Sequence, residues 1–311
     1  MNQSSLSYFI LLGFSDLSFQ LRLAIFLILS VFYLVTLLGN ILIIILITID
    51  PHLHTPMYFF LRNLSFLEMC YTSVSIPRLL ADLVREDRSI SFPCCAVQLY
   101  FFIFLGTTEC FLFAVMAYDR YTAIANPLRY TVVINRTRCL QLATGSWVGG
   151  IFLALGQAIL ISNLPYCKSH IINHFFCDVP PLVKLACGDK YLAEIEISLY
   201  STVVVMVPFL LVLLSYVCIL AAILKIDSSQ GRRKAFSTCA SHLTSVSLFY
   251  VPGICVYVVP KSKYSLDNDR LLALFYAVII PMLNPLIYSL RNKEVKGALR
   301  NRMNRKLCSQ R

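Results

Sequence analysis

The chain has 311 residues, 58% of them hydrophobic and only 14% charged, where a soluble domain carries about 25% charged residues. That composition excludes a soluble globular domain. The formal net charge of +11 does not call for nucleic acid, because anionic inner-leaflet lipid and a cytoplasmic protein partner account for it.

Seven apolar segments, at 23–49, 57–80, 96–118, 140–161, 197–224, 236–260 and 271–290, are long enough to cross a hydrocarbon core about 30 Å thick, which takes about 20 helical residues. Each must be helical, since an open strand edge has no hydrogen-bond partner in lipid. Of the 27 Lys and Arg, 17 fall on the side where the third segment ends, with 4 acids. The other 10 share the amino-terminal side with 10 acids. The first side is therefore predicted to be cytoplasmic and the N-terminus extracellular. The fold class read from this pattern is an all-α membrane protein, a seven-transmembrane helix bundle forming one domain over 1–311. Residues 1–22 are the extracellular N-terminus, 23–290 the spans and loops, and 291–311 the cytoplasmic tail. In the tail Val295, Leu299 and Met303 recur every four residues among Lys and Arg, which predicts a short amphipathic helix on the membrane surface.

The first 22 residues lack a basic start and a small-residue cleavage site, so the first span is expected to direct insertion itself. Asn2-Gln3-Ser4 is a glycosylation acceptor on the outer side. The same pattern at Asn63 and Asn135 falls in a span or inside. Span one carries Gly39-Asn40, span two Glu68, and span three Glu109, eleven residues before Arg120. Three helical turns, about 16 Å, separate that pair, so Glu109 lies deep in the bilayer. Two intramembrane carboxylates do not face lipid. With Asn40 and Asn284 they are predicted to form a hydrated site for a cation such as sodium, which prefers hard oxygen ligands. The other reading is a protonated carboxyl hydrogen-bonded to its neighbour.

Between spans two and three lie Cys94 and Cys95, and the long outer loop between spans four and five holds Cys167, Cys177 and Cys187. Outer-face cysteines oxidise, and the expected bonds are Cys95–Cys177 and Cys167–Cys187. The spacing of Cys167, His170, His174 and Cys177 also matches a zinc site. Span three runs into Met116–Tyr130, MAYDRYTAIANPLRY. Asp119 and Arg120 stand where the helix leaves hydrocarbon, flanked by Tyr118 and Tyr121, and Asn126-Pro127 stops the helix. An Arg that can leave its Asp is a switch; the plainer reading is a snorkelling membrane-edge anchor. Span five has Pro208 and ends near Tyr216, followed by a basic, serine-rich loop at 225–234. Span six opens on small polar residues and has a kink point at Pro252-Gly253. Span seven ends with Asn284 beside Pro285 and Tyr288 one turn on.

Gly39-Asn40, PMYFFLRNLSFLE at 56–68, MAYDRYTAIANPLRY at 116–130, KAFSTCASHL at 234–243 and PMLNPLIYSLRN at 281–292 resemble the vertebrate odorant receptors, rhodopsin-like G-protein-coupled receptors, along the whole chain. HFFCD, His174 to Asp178, also resembles the family and supports Cys177 as the partner of Cys95. Thr122 and Ala125 stand where the family usually has Val and Cys, and Val251 where it usually has Gly.

The resemblance implies an odorant pocket in the outer half of the bundle, between spans three, five, six and seven. Phe102, Ile103, Gly106 and Thr107 share one face of span three. Tyr200 and Val204, then Tyr250, Ile254 and Tyr257, then Leu274 and Ala277 complete the expected lining. That lining holds no acid or base, so a neutral volatile ligand is expected, with Lys261 at the rim. The resemblance further implies that Asp119 holds Arg120 at rest. On activation span six swings, Arg120 is freed, and Tyr216 and Tyr288 move in to support it; Tyr121, Asn284 and Pro285 belong to the same switch motifs. A stimulatory, olfactory-type G protein that raises cyclic AMP is the implied partner, at the plasma membrane, with no cofactor beyond the sodium candidate. HExxH, GxSxG and a phosphate-binding glycine loop are absent from the sequence, so no enzyme is expected. The alternatives are a non-olfactory chemosensory receptor of the same class and an ion-coupled transporter. The latter would be expected to show repeated halves, and none is visible.

Overall fold

The computed structural model describes residues 7–167, 169–187, 191–225, 227–258, 266–291, 295–297 and 300. Asn2, Lys261, Leu299 and Met303 lie outside the described residues, so the glycosylation site, the rim lysine and most of the tail helix do too.

Helix α1 (Phe19–Ile49) starts where the Ser18 hydroxyl accepts from the Leu21 amide, meeting a donor that no helical carbonyl reaches. Helix α2 (Pro56–Val84) has Pro56 in its first turn, where the missing N–H costs nothing. Helix α3 (Phe92–Ala125) is capped by Ser91 and ends at Asn126, directly before Pro127. A short helix, α4 (Tyr130–Val133), leads into α5 (Arg136–Ser162). There the Asn135 side chain accepts from the Arg138 amide at 2.9 Å, so this glycosylation-like asparagine serves as a helix cap. A short helix of seven residues follows in the long loop as α6 (Val179–Leu185), then α7 (Tyr191–Leu224) and α8 (Ser229–Tyr257). The seventh span is α9 (Leu266–Leu274), a π-helical turn at Phe275–Ile279, and α10 (Ile280–Arg291).

The spans stand as a seven-helix bundle. Six are long and apolar enough to cross a membrane by length and composition. The other, α2, has 29 residues but carries Arg62, Glu68, Arg78 and Asp82. Many hydroxyls inside the bundle bond a carbonyl one turn back, as Thr36 does to Phe32, Thr72 to Glu68 and Thr108 to Phe104. A polar group in lipid has to be satisfied within its own helix or by a neighbour.

Two features depart from the sequence reading. The basic loop at 225–234 is shorter than expected, because Ser228 accepts from the Gly231 amide at 3.2 Å and starts α8 at Ser229. The N-terminal segment is not a plain tail. Strand β1 (Tyr8–Leu11) pairs antiparallel with β2 (Ser89–Ser91) and parallel with β3 (Ile171–Ile172), giving the order β2-β1-β3. Gly13, at φ +50°, turns the chain away from this sheet in a conformation that favours glycine. The Arg270 guanidinium then donates to the carbonyls of Gly13 and Asn173, tying the sheet to the seventh span. This sheet marks one end of the bundle, and Arg120 marks the other.

Close helix contact depends on small residues. A methyl on Gly150 of α5 would overlap the Thr108 Oγ1 of α3 and stand 3.2 Å from the Phe104 carbonyl. A methyl on Gly39 would meet Pro285 at 3.1 Å. Backbones this near one another gain dispersion along the whole crossing, the main source of helix association in lipid. Gly150→Val is expected to lose about 1–3 kcal/mol or more through overpacking, seen as lower surface delivery and a lower unfolding temperature of the purified protein. Gly156→Val, at a position with nothing within 4 Å, should behave as the parent does.

Candidate functional site

Towards the sheet end, α2, α3, α5, α7, α8, the π-helical turn and the outer loop line a cavity that opens to solvent, with about 700 Å³ of empty space when the open part is included. Phe102, Ile103, Gly106, Thr107, Tyr200, Val204, Tyr250 and Tyr257 line it, all of them expected from the sequence. Ile254, Leu274 and Ala277 are not in its wall. On span seven the π-helical turn has an i→i+5 bond and an altered register. There Tyr276 reaches the cavity while Ala277 is fully buried elsewhere. No sequence periodicity announces such a turn.

The expectation of a lining without an acid is overturned. Asp178, buried in the outer loop, faces the cavity. The Tyr257 hydroxyl donates to both of its carboxylate oxygens at 3.0 Å, and Tyr276 donates to Oδ2 at 2.8 Å. Its own Oδ1 accepts from the Val179 amide at 2.7 Å and caps α6. Sequence distance hid this group, because it arrives from a loop rather than a span. The Cys95–Cys177 disulfide brings it in, and the Cys177 amide donates to Gln98 of α3 at 3.0 Å. Cys167 is bonded to Cys187. Both sulfurs of the zinc alternative are thus spent in separate disulfides, and His174 bonds the Phe176 backbone instead. Cys94 is free and exposed.

Midway down, Glu68, Glu109, Asn40 and Asn284 are buried together. The Asn284 amide donates to Glu68 Oε1, and Asn40 lies against the same carboxyl. Four oxygens, Glu68 Oε2, Glu109 Oε1, Asn40 Oδ1 and Asn284 Oδ1, have no hydrogen-bond partner. A cluster of unpartnered hard oxygens fits a small cation such as sodium.

At the far end Asp119 and Arg120 are both buried. The expected pairing between them is not made. Neighbours on a helix diverge by about 100°, and Asp119 instead accepts from the Tyr130 hydroxyl of α4 at 2.8 Å. Burial, then the negative charge of Asp119, pushes the Tyr130 phenol above its ordinary pKa, which keeps it a donor. Arg120 Nε and Nη2 have no hydrogen-bond partner. Tyr216, Tyr288 and His242 lie within reach of its charge. His242 meets the Tyr216 hydroxyl through Nδ1 at 2.8 Å. Tyr121 packs against the apolar cluster that includes Met116, Tyr216 and Tyr288.

This architecture matches the crystal structure of squid rhodopsin, with a TM-score of 0.71 over 94% of this chain and 87% of that one. At 16% identity the likeness is one of fold. The family model described as olfactory receptor matches residues 29–306. Olfactory receptor 5F1 of Homo sapiens is 49% identical over 99% of this chain and 98% of its own length. Olfactory receptor 10A5 of Homo sapiens is 51% identical over 96% and 94%. The chain belongs to the olfactory receptor family, multi-pass membrane receptors of the rhodopsin-like, G-protein-coupled class and not enzymes. A carboxylate hydrogen bond is worth about 1.5–3 kcal/mol, so Tyr276→Phe, which leaves Asp178 with one phenol fewer, should lower the unfolding temperature of the purified receptor by a few degrees.

Proposed function

We propose that this receptor binds a small volatile odorant in the cavity below the sheet and answers by activating a stimulatory, olfactory-type G protein, raising cyclic AMP. The observation that carries the reading is the cavity itself, walled mostly by apolar and aromatic side chains from the second to the seventh span and roofed by the disulfide-held loop. Ten residues beyond Cys110, the last α3 residue of the cavity wall, and about 15 Å along the helix, the charge of Arg120 reaches Tyr216, Tyr288 and His242. An agonist need only bind one arrangement of the helices better than the other, each tenfold preference shifting the balance by about 1.4 kcal/mol.

The single receptor domain then spans 1–311, with the N-terminus and Asn2 outside and the tail from 291 inside the cell, as the basic residues favour. Asp119, Arg120, Tyr121, Tyr216, Asn284, Pro285 and Tyr288 form the coupling machinery of this reading. Arg120→Ala, which removes a buried guanidinium with two unpartnered nitrogens, is expected to reach the cell surface yet give no cyclic AMP response to any volatile that stimulates the parent. A normal response in that variant would remove the proposed role.

Asn40, Glu68, Glu109 and Asn284 would hold sodium, which would supply a fixed positive charge between the two carboxylates. Sodium chloride should raise the unfolding temperature of the purified receptor above that in an equal concentration of N-methylglucamine chloride. Glu109→Gln should abolish the difference. No difference in the parent would favour a shared proton.

A further inference from the structure

The buried face of α5 is built from Cys139, Ala143, Ser146, Gly150, Ala154, Gln157, Ala158 and Ile161, three or four residues apart except where Gln157 and Ala158 stand side by side. Small or apolar side chains at this spacing let α5 lie against α3. Ser146 settles its hydroxyl on the Leu142 carbonyl of its own helix. Gln157 does not follow the pattern. It is 2% exposed, and both its Nε2 and its Oε1 lack a hydrogen-bond partner. An amide left unpaired in such a place costs about 1–3 kcal/mol, and packing does not require it, since Leu or Met would fill similar space. Gln157 is one of the residues that line the ligand cavity. Nearby in that wall the Tyr200 hydroxyl is also buried, beside Thr107 but without a well-formed bond to it.

We infer that Gln157 is a specificity-determining residue, recognising a small neutral ligand that carries one hydroxyl group on an otherwise apolar skeleton. This rests on the reading of the cavity as the odorant site. A hydroxyl is the smallest group that both accepts from Nε2 and donates to Oε1. A carbonyl compound can use Nε2 alone, and a hydrocarbon leaves both atoms unpaired. The ranking within any one skeleton is therefore alcohol first, aldehyde or ketone second, hydrocarbon last. A site built to hydrogen-bond a hydroxyl rejects the analogue lacking it far more strongly than an apolar pocket rejects a missing methylene. Asp178 does not compete for this role, because Tyr257, Tyr276 and the Val179 amide already occupy its carboxylate.

The test measures binding without G protein. The purified receptor in lipid nanodiscs is titrated with skeletons of four to ten carbons, straight and cyclic, each supplied as alcohol, carbonyl compound and hydrocarbon, and ligand-induced thermal stabilisation is read. For the parent, the alcohol of the best skeleton should bind at least tenfold tighter than its hydrocarbon. Gln157→Met should lose that preference while keeping its affinity for the hydrocarbon, and without ligand it should unfold no lower than the parent, since it removes only an unpaired amide. Equal affinity for alcohol and hydrocarbon in the parent, an undiminished preference in Gln157→Met, or no binding by any alcohol would each overturn the inference. Cyclic AMP assays on the same series separate the two readings. Alcohol-selective binding without a signal refutes the coupling assignment alone, whereas signalling without alcohol preference refutes the role of Gln157 alone.

Discussion

The Cys95–Cys177 bond is the constraint on which the sheet end of the molecule depends. Loops of this length sample many conformations, and a covalent link to the first turn of α3 removes most of them. With Cys177 fixed, its neighbour Asp178 is forced under the roof, where two phenols and a backbone amide hold it. The Phe175 and Phe176 rings then pack inward, fully buried, against Phe14 and Phe102. The N-terminal strand closes over the same loop through β3. A loop that would otherwise be a flexible cover becomes part of the cavity wall.

Polarity inside the bundle comes at three depths, each handled by different chemistry. At the roof, an acid is satisfied by neutral donors from α8 and the seventh span. In the middle, two carboxyls and two amides share one buried cluster with oxygens to spare. At the far end, a guanidinium acts by its charge on phenols and an imidazole, and the adjacent acid is drawn off by Tyr130. All three depths touch α3, so small rotations of that helix change the surroundings of each. Buried polar groups with partners missing are costly. Among the described residues most of them fall at the cavity, the mid-span cluster and the surroundings of Arg120, which is what binding sites and switches look like energetically.

Much of the architecture was legible because membrane helices are written in hydrophobicity and length. Caps at Ser18, Ser91 and Asn135 and the stop at Asn126-Pro127 follow from local backbone chemistry. Most of the α3 wall was legible for the same reason, since residues three and four apart share a face. The Asp119–Arg120 contact was not, because adjacency in sequence is not adjacency of side chains on a helix. The strand at Tyr8–Leu11 was missed because its partners lie about 80 and 160 residues away and a short edge segment has no pattern of its own.

By itself the sequence determined the class of protein, the seven spans and the residues that are too polar for lipid, because each of these is decided by the local cost of exposing a group to hydrocarbon. The tertiary structure decided which of those polar groups meet. Asp178 enters the cavity on a disulfide, Tyr276 replaces Ala277 there on a π-helical turn, and Gln157 faces the same space with an unpaired amide. Such meetings depend on the register between elements far apart in the chain, and register is a property of packing rather than of any one segment.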